Sequence, residues 1–90
     1  MYQVVWLQTA LNELTMIWMQ ADANLRQAIT TAATGIDQLL VTDPYGQGES
    51  RDRGRRFLYV PPMGITFEVA RQQQVVRILH VWVVRRRSRE

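Results

Sequence analysis

Between Ala10 and Leu40 the apolar residues of this chain return every three to four positions, and on either side of that stretch they run together or alternate. Ala10, Leu11, Leu14, Ile17, Trp18 and Ala21 share one helical face, with Gln8, Asn12, Glu13, Thr15 and Gln20 elsewhere. This pattern predicts an amphipathic helix that is capped by Thr9 and ends near Asp22. Asp22 or Asn24 caps a second helix, whose stripe is Leu25, Ala28, Ile29, Ala32, Ala33, Ile36, Leu39 and Leu40. A link this short makes an antiparallel helical hairpin, and two apolar stripes side by side need a common cover. Gly35 inside the second helix is less favourable than alanine by about 1 kcal/mol and is expected to mark a close approach to neighbouring backbone.

The cover comes from strands. Residues 2–7 (YQVVWL) are β-branched and aromatic and too few for a helix, so they read as a first strand. Residues 42–52 (TDPYGQGESRD) carry the Pro, Gly and Asp content of a loop. Three further strands follow at about residues 55–60, 65–70 and 75–84, joined by PPMG and RQQQ, connections short enough for a meander of hairpins. Ile65, Phe67 and Val69 alternate with Thr66, Glu68 and Ala70, a half-buried pattern, whereas VVRILHVWVV is apolar on both faces and is expected to be central. The order β-α-α-β-β-β predicts an α+β fold, a helical hairpin packed on one face of a small, mostly antiparallel four-stranded sheet. Trp6, Trp18 and Trp82 fall on apolar faces and are expected in the core.

Ninety residues with 47% hydrophobic content make one small domain spanning 1–90. The absence of cysteine excludes a disulfide framework, a thiolate nucleophile and a thiolate metal site, and a single histidine excludes an ordinary zinc cage, so no metal and no cofactor are expected. The opening MYQVVWLQTALNEL has neither a basic n-region nor a long apolar run, so neither a signal peptide nor a membrane span is expected, and the cytoplasm is the default location. Charge changes the picture more. Residues 1–50 hold one Arg against five acids, and residues 51–90 hold ten Arg against three, net −4 against +7. Every cation is Arg, whose planar fork suits phosphate or carboxylate, so the basic half points to an acidic partner.

The element order and the segments that carry it resemble the RelE/ParE family of toxins from bacterial type II toxin–antitoxin, or plasmid-stabilisation, systems. Those segments are YQVVW followed by the helix opening A-L-x-E-L, I-D-x-L-L before D-P-x-x-x-G-E, then RRFLYVPPMGITFEV and V-R-I-L-H-V-W, covering nearly the whole chain. The resemblance implies a growth-arresting toxin neutralised by a cognate antitoxin protein. Its target would be ribosome-bound mRNA, which some members cleave, or DNA gyrase, which others inhibit. An enzymatic member would be a ribosome-dependent endoribonuclease, in which cations stabilise charge on the phosphate and other groups move protons.

Ribosome-dependent members typically place basic residues along the second strand, an Arg just after the corner glycine, an Arg after the last strand, and a Tyr or His in a closing helix. With Gly64 as the corner glycine, Phe57, Tyr59 and Thr66 stand where three of those charges belong. Arg85, Arg86 and Arg87 match the basic position after the last strand, but no Tyr or His follows them. A displaced catalytic set would draw on Arg56, Arg85, Arg86, Arg87, His80 and Tyr59, with Glu68 as a base, and Arg51, Arg53, Arg55 and Arg77 as a nucleic-acid-binding rim.

Plainer readings stand beside these. His80 lies among apolar neighbours and is expected to be packed or hydrogen-bonded; nothing in the pattern suggests a base-stacking platform. Arg55 and Arg56 pair with Glu68 or Glu49 across the sheet in an exposed arrangement worth about 0–1 kcal/mol. The tail from Arg85 is a solvated extension, a phosphate contact or an antitoxin site. The open sheet face would be covered by an antitoxin or by a second copy in a homodimer, and outside the family the chain reads as a basic nucleic-acid-binding module or an inactive relative.

Overall fold

The computed structural model describes residues 1–84, so Arg85, Arg86 and Arg87 lie outside the described residues. The chain runs β1 (Gln3–Trp6), α1 (Gln8–Gln20), α2 (Ala23–Thr42), β2 (Glu49–Ser50), β3 (Arg55–Val60), β4 (Met63–Ala70) and β5 (Val75–Val83), with short 3-10 turns at Pro44–Gly46 and Asp52–Gly54. One sheet holds all five strands in the order β1-β5-β4-β3-β2, antiparallel except for β1, which runs parallel to β5. The expected α+β architecture is therefore present with one strand more than the sequence indicated; β5 is an interior strand between β1 and β4, and β4 rather than β5 occupies the centre.

Strand β1 passes into α1 without a connecting loop. The Leu7 N–H closes the ladder on the Ile78 carbonyl at 3.1 Å while the Leu7 carbonyl accepts from Leu11 N–H at 2.9 Å. Leu7 thereby becomes the N-cap, with no side-chain cap, and Thr9 falls inside the helix instead of capping it. At the other junction Asp22 caps α2 as expected, its Oδ1 accepting from Leu25 N–H at 2.9 Å. Arg26 reaches back to close the end of α1. Its Nε–H donates to the Trp18 carbonyl at 2.8 Å, Nη2 donates to that of Met19 at 3.2 Å, and its guanidinium lies 4.3 Å from the Trp18 ring centroid.

The core forms where Leu58, Met63, Ile65, Phe67, Val76, Ile78 and Val81 of the sheet meet Ala10, Ile29, Ala32, Ile36 and Leu40 of the helices. The helices do not pack along their full length on each other: α1 lies mainly against β5 and α2 against β1 and β3. Trp18 consequently stays 41% exposed, contrary to its expected burial, and Trp6 is only partly buried, its indole N–H donating to Asp37 Oδ1 at 2.8 Å. Trp82 is 38% exposed on the far side of the sheet.

Gly35 also departs from expectation, since nothing lies within 4 Å of where its Cβ would stand. No close approach requires glycine there. The substitution Gly35→Ala is expected to stabilise the protein by about 0.5–1 kcal/mol, because alanine both favours the helix and restricts the unfolded chain. A thermal melt reads the result as a rise in Tm, and a fall would show a steric demand at that position.

Candidate functional site

Two surfaces stand out, one on each side of the sheet. On the helix side, the divergence of α1 from α2 opens an apolar groove of about 320 Å³ lined by Trp6, Leu11, Leu14, Trp18, Ile29 and Ala33, with Asp37 at its wall. Met16 and Met19 are exposed elsewhere on α1. A groove of this composition suits the apolar face of a partner helix.

The other side of the sheet carries most of the residues singled out from the sequence. Residues paired across a ladder share a face, so β3, β4 and β5 present three rows: Arg55–Glu68–Arg77, Phe57–Thr66–His80 and Tyr59–Gly64–Trp82. A bulge at Leu79 sets the last two rows. Phe67 pairs with Ile78 but Thr66 pairs with His80, and the extra residue resets the alternation so that Val81 turns inward and Trp82 outward. Trp82 reaches over Gly64, where an added Cβ would lie 2.9 Å from the indole, and stacks on Phe57 with ring centroids 5.7 Å apart and planes at 21°. Glycine at position 64 makes that crossing sterically possible.

Arg51 continues the stack, its guanidinium 5.4 Å from the Phe57 ring centroid while its Nη1 pairs with Glu49 at 2.9 Å. Arg53, held at the left-handed φ of 64°, and Arg55 line a shallow hollow with Ser50, Arg51, Asp52 and Thr66. Tyr59, beyond Phe57 on the same face of β3, is 45% exposed. The outer face thus carries an aromatic pair, Phe57 and Trp82, with Arg51 over the Phe57 ring.

Arg56 points the other way. It shares the inner face with Leu58, and its guanidinium gathers the loop ahead of β3: Nε–H donates to Gln47 O at 3.1 Å, Nη2 to Tyr45 O at 3.1 Å and Gly48 O at 3.4 Å, and Nη1 to Ser50 Oγ at 3.1 Å. A guanidinium so engaged is a structural clamp. The expected ion pairs are also rearranged, because Glu49 takes Arg51 and Glu68 takes Arg77 at 3.6 Å, leaving Arg55 and Arg56 with neither.

His80 is exposed and bonded, and its partner is Glu13, to which the sequence assigned no role beyond its place in the A-L-x-E-L helix opening. Beyond Ile78, β5 has no strand on the β1 side, and Glu13 from α1 takes that place. Its Oε1 accepts from Val81 N–H at 3.0 Å and its Oε2 lies 3.1 Å from His80 Nδ1. Desolvation pushes the Glu13 pKa up, but the Val81 N–H and His80 together outweigh it and hold the carboxyl below its ordinary value of 4.5. A depressed folded-state pKa gives stability that is present above pH 4.5 and is lost as pH falls through the folded value. Glu13→Gln keeps an acceptor for Val81 and is expected to lose less than about 1 kcal/mol at neutral pH, with its deficit shrinking in acid. Glu13→Ala leaves the buried Val81 N–H without its acceptor and is expected to lose about 1–3 kcal/mol. Melts at pH 7 and pH 4 check both, and equal losses at the two pH values for Glu13→Gln would contradict the assignment.

No protein-family model matches the chain, and no curated protein does. Solved structures do match in shape. The chromosomal ParDE toxin–antitoxin system from P. aeruginosa superposes with a TM-score of 0.75 at 20% identity, covering 94% of this chain and 98% of that one. The RelBE2 toxin–antitoxin complex from Mycobacterium tuberculosis gives 0.67 at 20% identity, over 91% and 96%. The isolated E. coli RelE toxin gives 0.61 at 13% identity, over 97% and 88%. The chain thus has the fold shared by RelE and ParE toxins.

Proposed function

We propose that this chain is the toxin of a type II toxin–antitoxin pair, held inactive by a protein antitoxin, and that it arrests growth by binding its target rather than by cutting RNA. The observation that carries the second half is the outer sheet face. Its centre, where RNA-cleaving members of this fold concentrate cations, holds Phe57, Tyr59 and Thr66, and the Phe57 ring is stacked on Trp82. Inhibition of DNA gyrase, the other activity of such toxins, requires a binding surface and no proton-transfer set.

A second reading rests on one feature of the same face. His80 shares it with Tyr59 and is oriented by Glu13, an arrangement that places a base beside its orienting carboxylate. In that reading the protein is a ribonuclease with a relocated centre. Growth arrest by the chain would then vanish in His80→Ala while the protein stayed folded.

The antitoxin reading is supported by the apolar groove between α1 and α2. Induced alone in bacteria, the chain is expected to arrest growth, and co-expression of the neighbouring reading frame is expected to restore it. Trp18→Glu, which puts a carboxylate into the groove beside Asp37, is expected to weaken neutralisation at least about tenfold in antitoxin dose while leaving the arrest intact. A chain whose induction leaves the growth rate unchanged would contradict the toxin reading.

A further inference from the structure

Helix α1 presents no charge on the side turned to solvent. Glu13 is its one ionisable residue, and Glu13 is turned onto β5, where it holds Val81 N–H and His80. Ala10, Leu14 and Ile17 form the stripe that meets the rest of the protein. Opposite them Asn12, Thr15, Met16 and Met19 follow at the i, i+3, i+4, i+7 spacing of a second stripe, on which Met16 is 59% and Met19 65% exposed. Its polar groups are already bonded within the helix: Gln8 Nε2 donates to Asn12 Oδ1 at 2.9 Å, and the Thr15 hydroxyl donates to Leu11 O at 2.9 Å. A solvated helix face normally carries charge, whereas a neutral stripe of thioethers and self-satisfied polar groups can be covered at little desolvation cost.

From this composition we propose that the outer stripe of α1 is the contact of a reversible homodimer, in which α1 of one copy crosses α1 of a second copy antiparallel about a two-fold axis near Thr15 and Met16. A two-fold contact sets a surface against itself, so a charge on it meets its own like, and this stripe has none to repel. A partner of different sequence would be selected largely by complementary charge, for which the stripe offers no handle. The methionine side chains are flexible enough to fit one another across the smaller Thr15. The open sheet face suits a second copy less well, because Arg53 and Arg55, in no ion pair among the described residues, disfavour self-contact. A helix of 13 residues is only about 20 Å long, short of a standard interface, so the dimer is expected to be weak, with a Kd of about 10–100 µM. Leu11 and Trp18, which line the apolar groove, lie on another side of α1, and the dimer does not depend on the toxin reading, because it is read on the isolated chain.

The test is sedimentation equilibrium of the purified full chain at concentrations from about 5 to 500 µM, a range that brackets a weak interface. The average mass is expected to rise from that of one chain towards that of two. Met16→Glu and Met16→Lys are each expected to weaken association at least about tenfold, because either charge meets its own copy near the axis. An equimolar mixture of the two variants is expected to dimerise again, since opposite charges then face each other. Gln38→Glu, which adds a charge on the exposed side of α2, is expected to change association less than about twofold. Circular dichroism melts establish that each variant is folded. A chain that stays monomeric throughout would overturn the proposal and leave the stripe to a different protein. A dimer that persists in folded Met16→Glu would overturn it by placing the contact elsewhere, as would two monomeric variants whose mixture stays monomeric.

Discussion

Replacing Phe67 with alanine is expected to remove about 3–5 kcal/mol of stability, the largest loss of any single substitution considered for this protein. Phe67 is fully buried in the middle of β4, in the core cluster shared with the helices, with Arg56 of β3 and Ile78 of β5 as its ladder partners. Truncating it leaves a cavity that neighbours fixed by sheet pairing on both sides cannot fill. A domain of this length has a total stability of only about 0.05–0.15 kcal/mol per residue, so the loss takes a large part of the whole. At about 4–8 °C per kcal/mol the Tm falls far enough to leave much of the protein unfolded at growth temperature. Phe67→Leu keeps most of the volume and is expected to lose less than half as much. Thermal or urea unfolding measures both, and a near-neutral Phe67→Ala would mean that the sheet is not packed as described.

Arg56→Ala is the second large effect and separates structure from function. Its guanidinium holds three loop carbonyls and the Ser50 hydroxyl, and charge-assisted bonds of this kind contribute about 1.5–3 kcal/mol. The loss is expected to be about 2 kcal/mol, concentrated in the segment from Asp43 to Gly54, which should become sensitive to limited proteolysis. Arg56→Lys is not expected to rescue it, since a single ammonium cannot span four acceptors set around a planar fork. Growth arrest per folded molecule is expected to remain. Unchanged stability with lost arrest would instead place Arg56 at the target.

The parts legible in the sequence were those written in hydrophobic period. The stripe of α2 placed Ile29, Ala32, Ile36 and Leu40 in the core, where they are, and the apolar run of β5 marked a strand paired on both edges, although β4 is the central one. Strand β2 has only two residues, Glu49 and Ser50, both exposed, and so leaves no pattern to read. Trp18 sat on the correct helical stripe, yet its burial depended on how far α1 and α2 diverge, which period does not encode.

Where the candidate residues point was hidden for a more specific reason. Alternation along β3 sets Arg56 with Leu58, facing inward, and Phe57 with Tyr59, facing outward, a phase that the charges of RRFLYV do not reveal. On β5 the bulge at Leu79 reverses the phase halfway along the strand, so no reading of VVRILHVWVV by period alone could place His80 and Trp82. Glu13 was hidden for a third reason, since its role arises from β1 ending early and exposing one edge of β5.

The proposal that this chain is a toxin that arrests growth without cutting RNA is tested most directly by pulse labelling of DNA and protein synthesis in bacteria within minutes of inducing the chain alone. Thymidine incorporation is expected to fall first, with messenger RNA intact and amino-acid incorporation following later. An immediate fall in amino-acid incorporation with cleaved messenger RNA, abolished by His80→Ala, would contradict it and locate a ribonuclease centre at the Glu13–His80 pair.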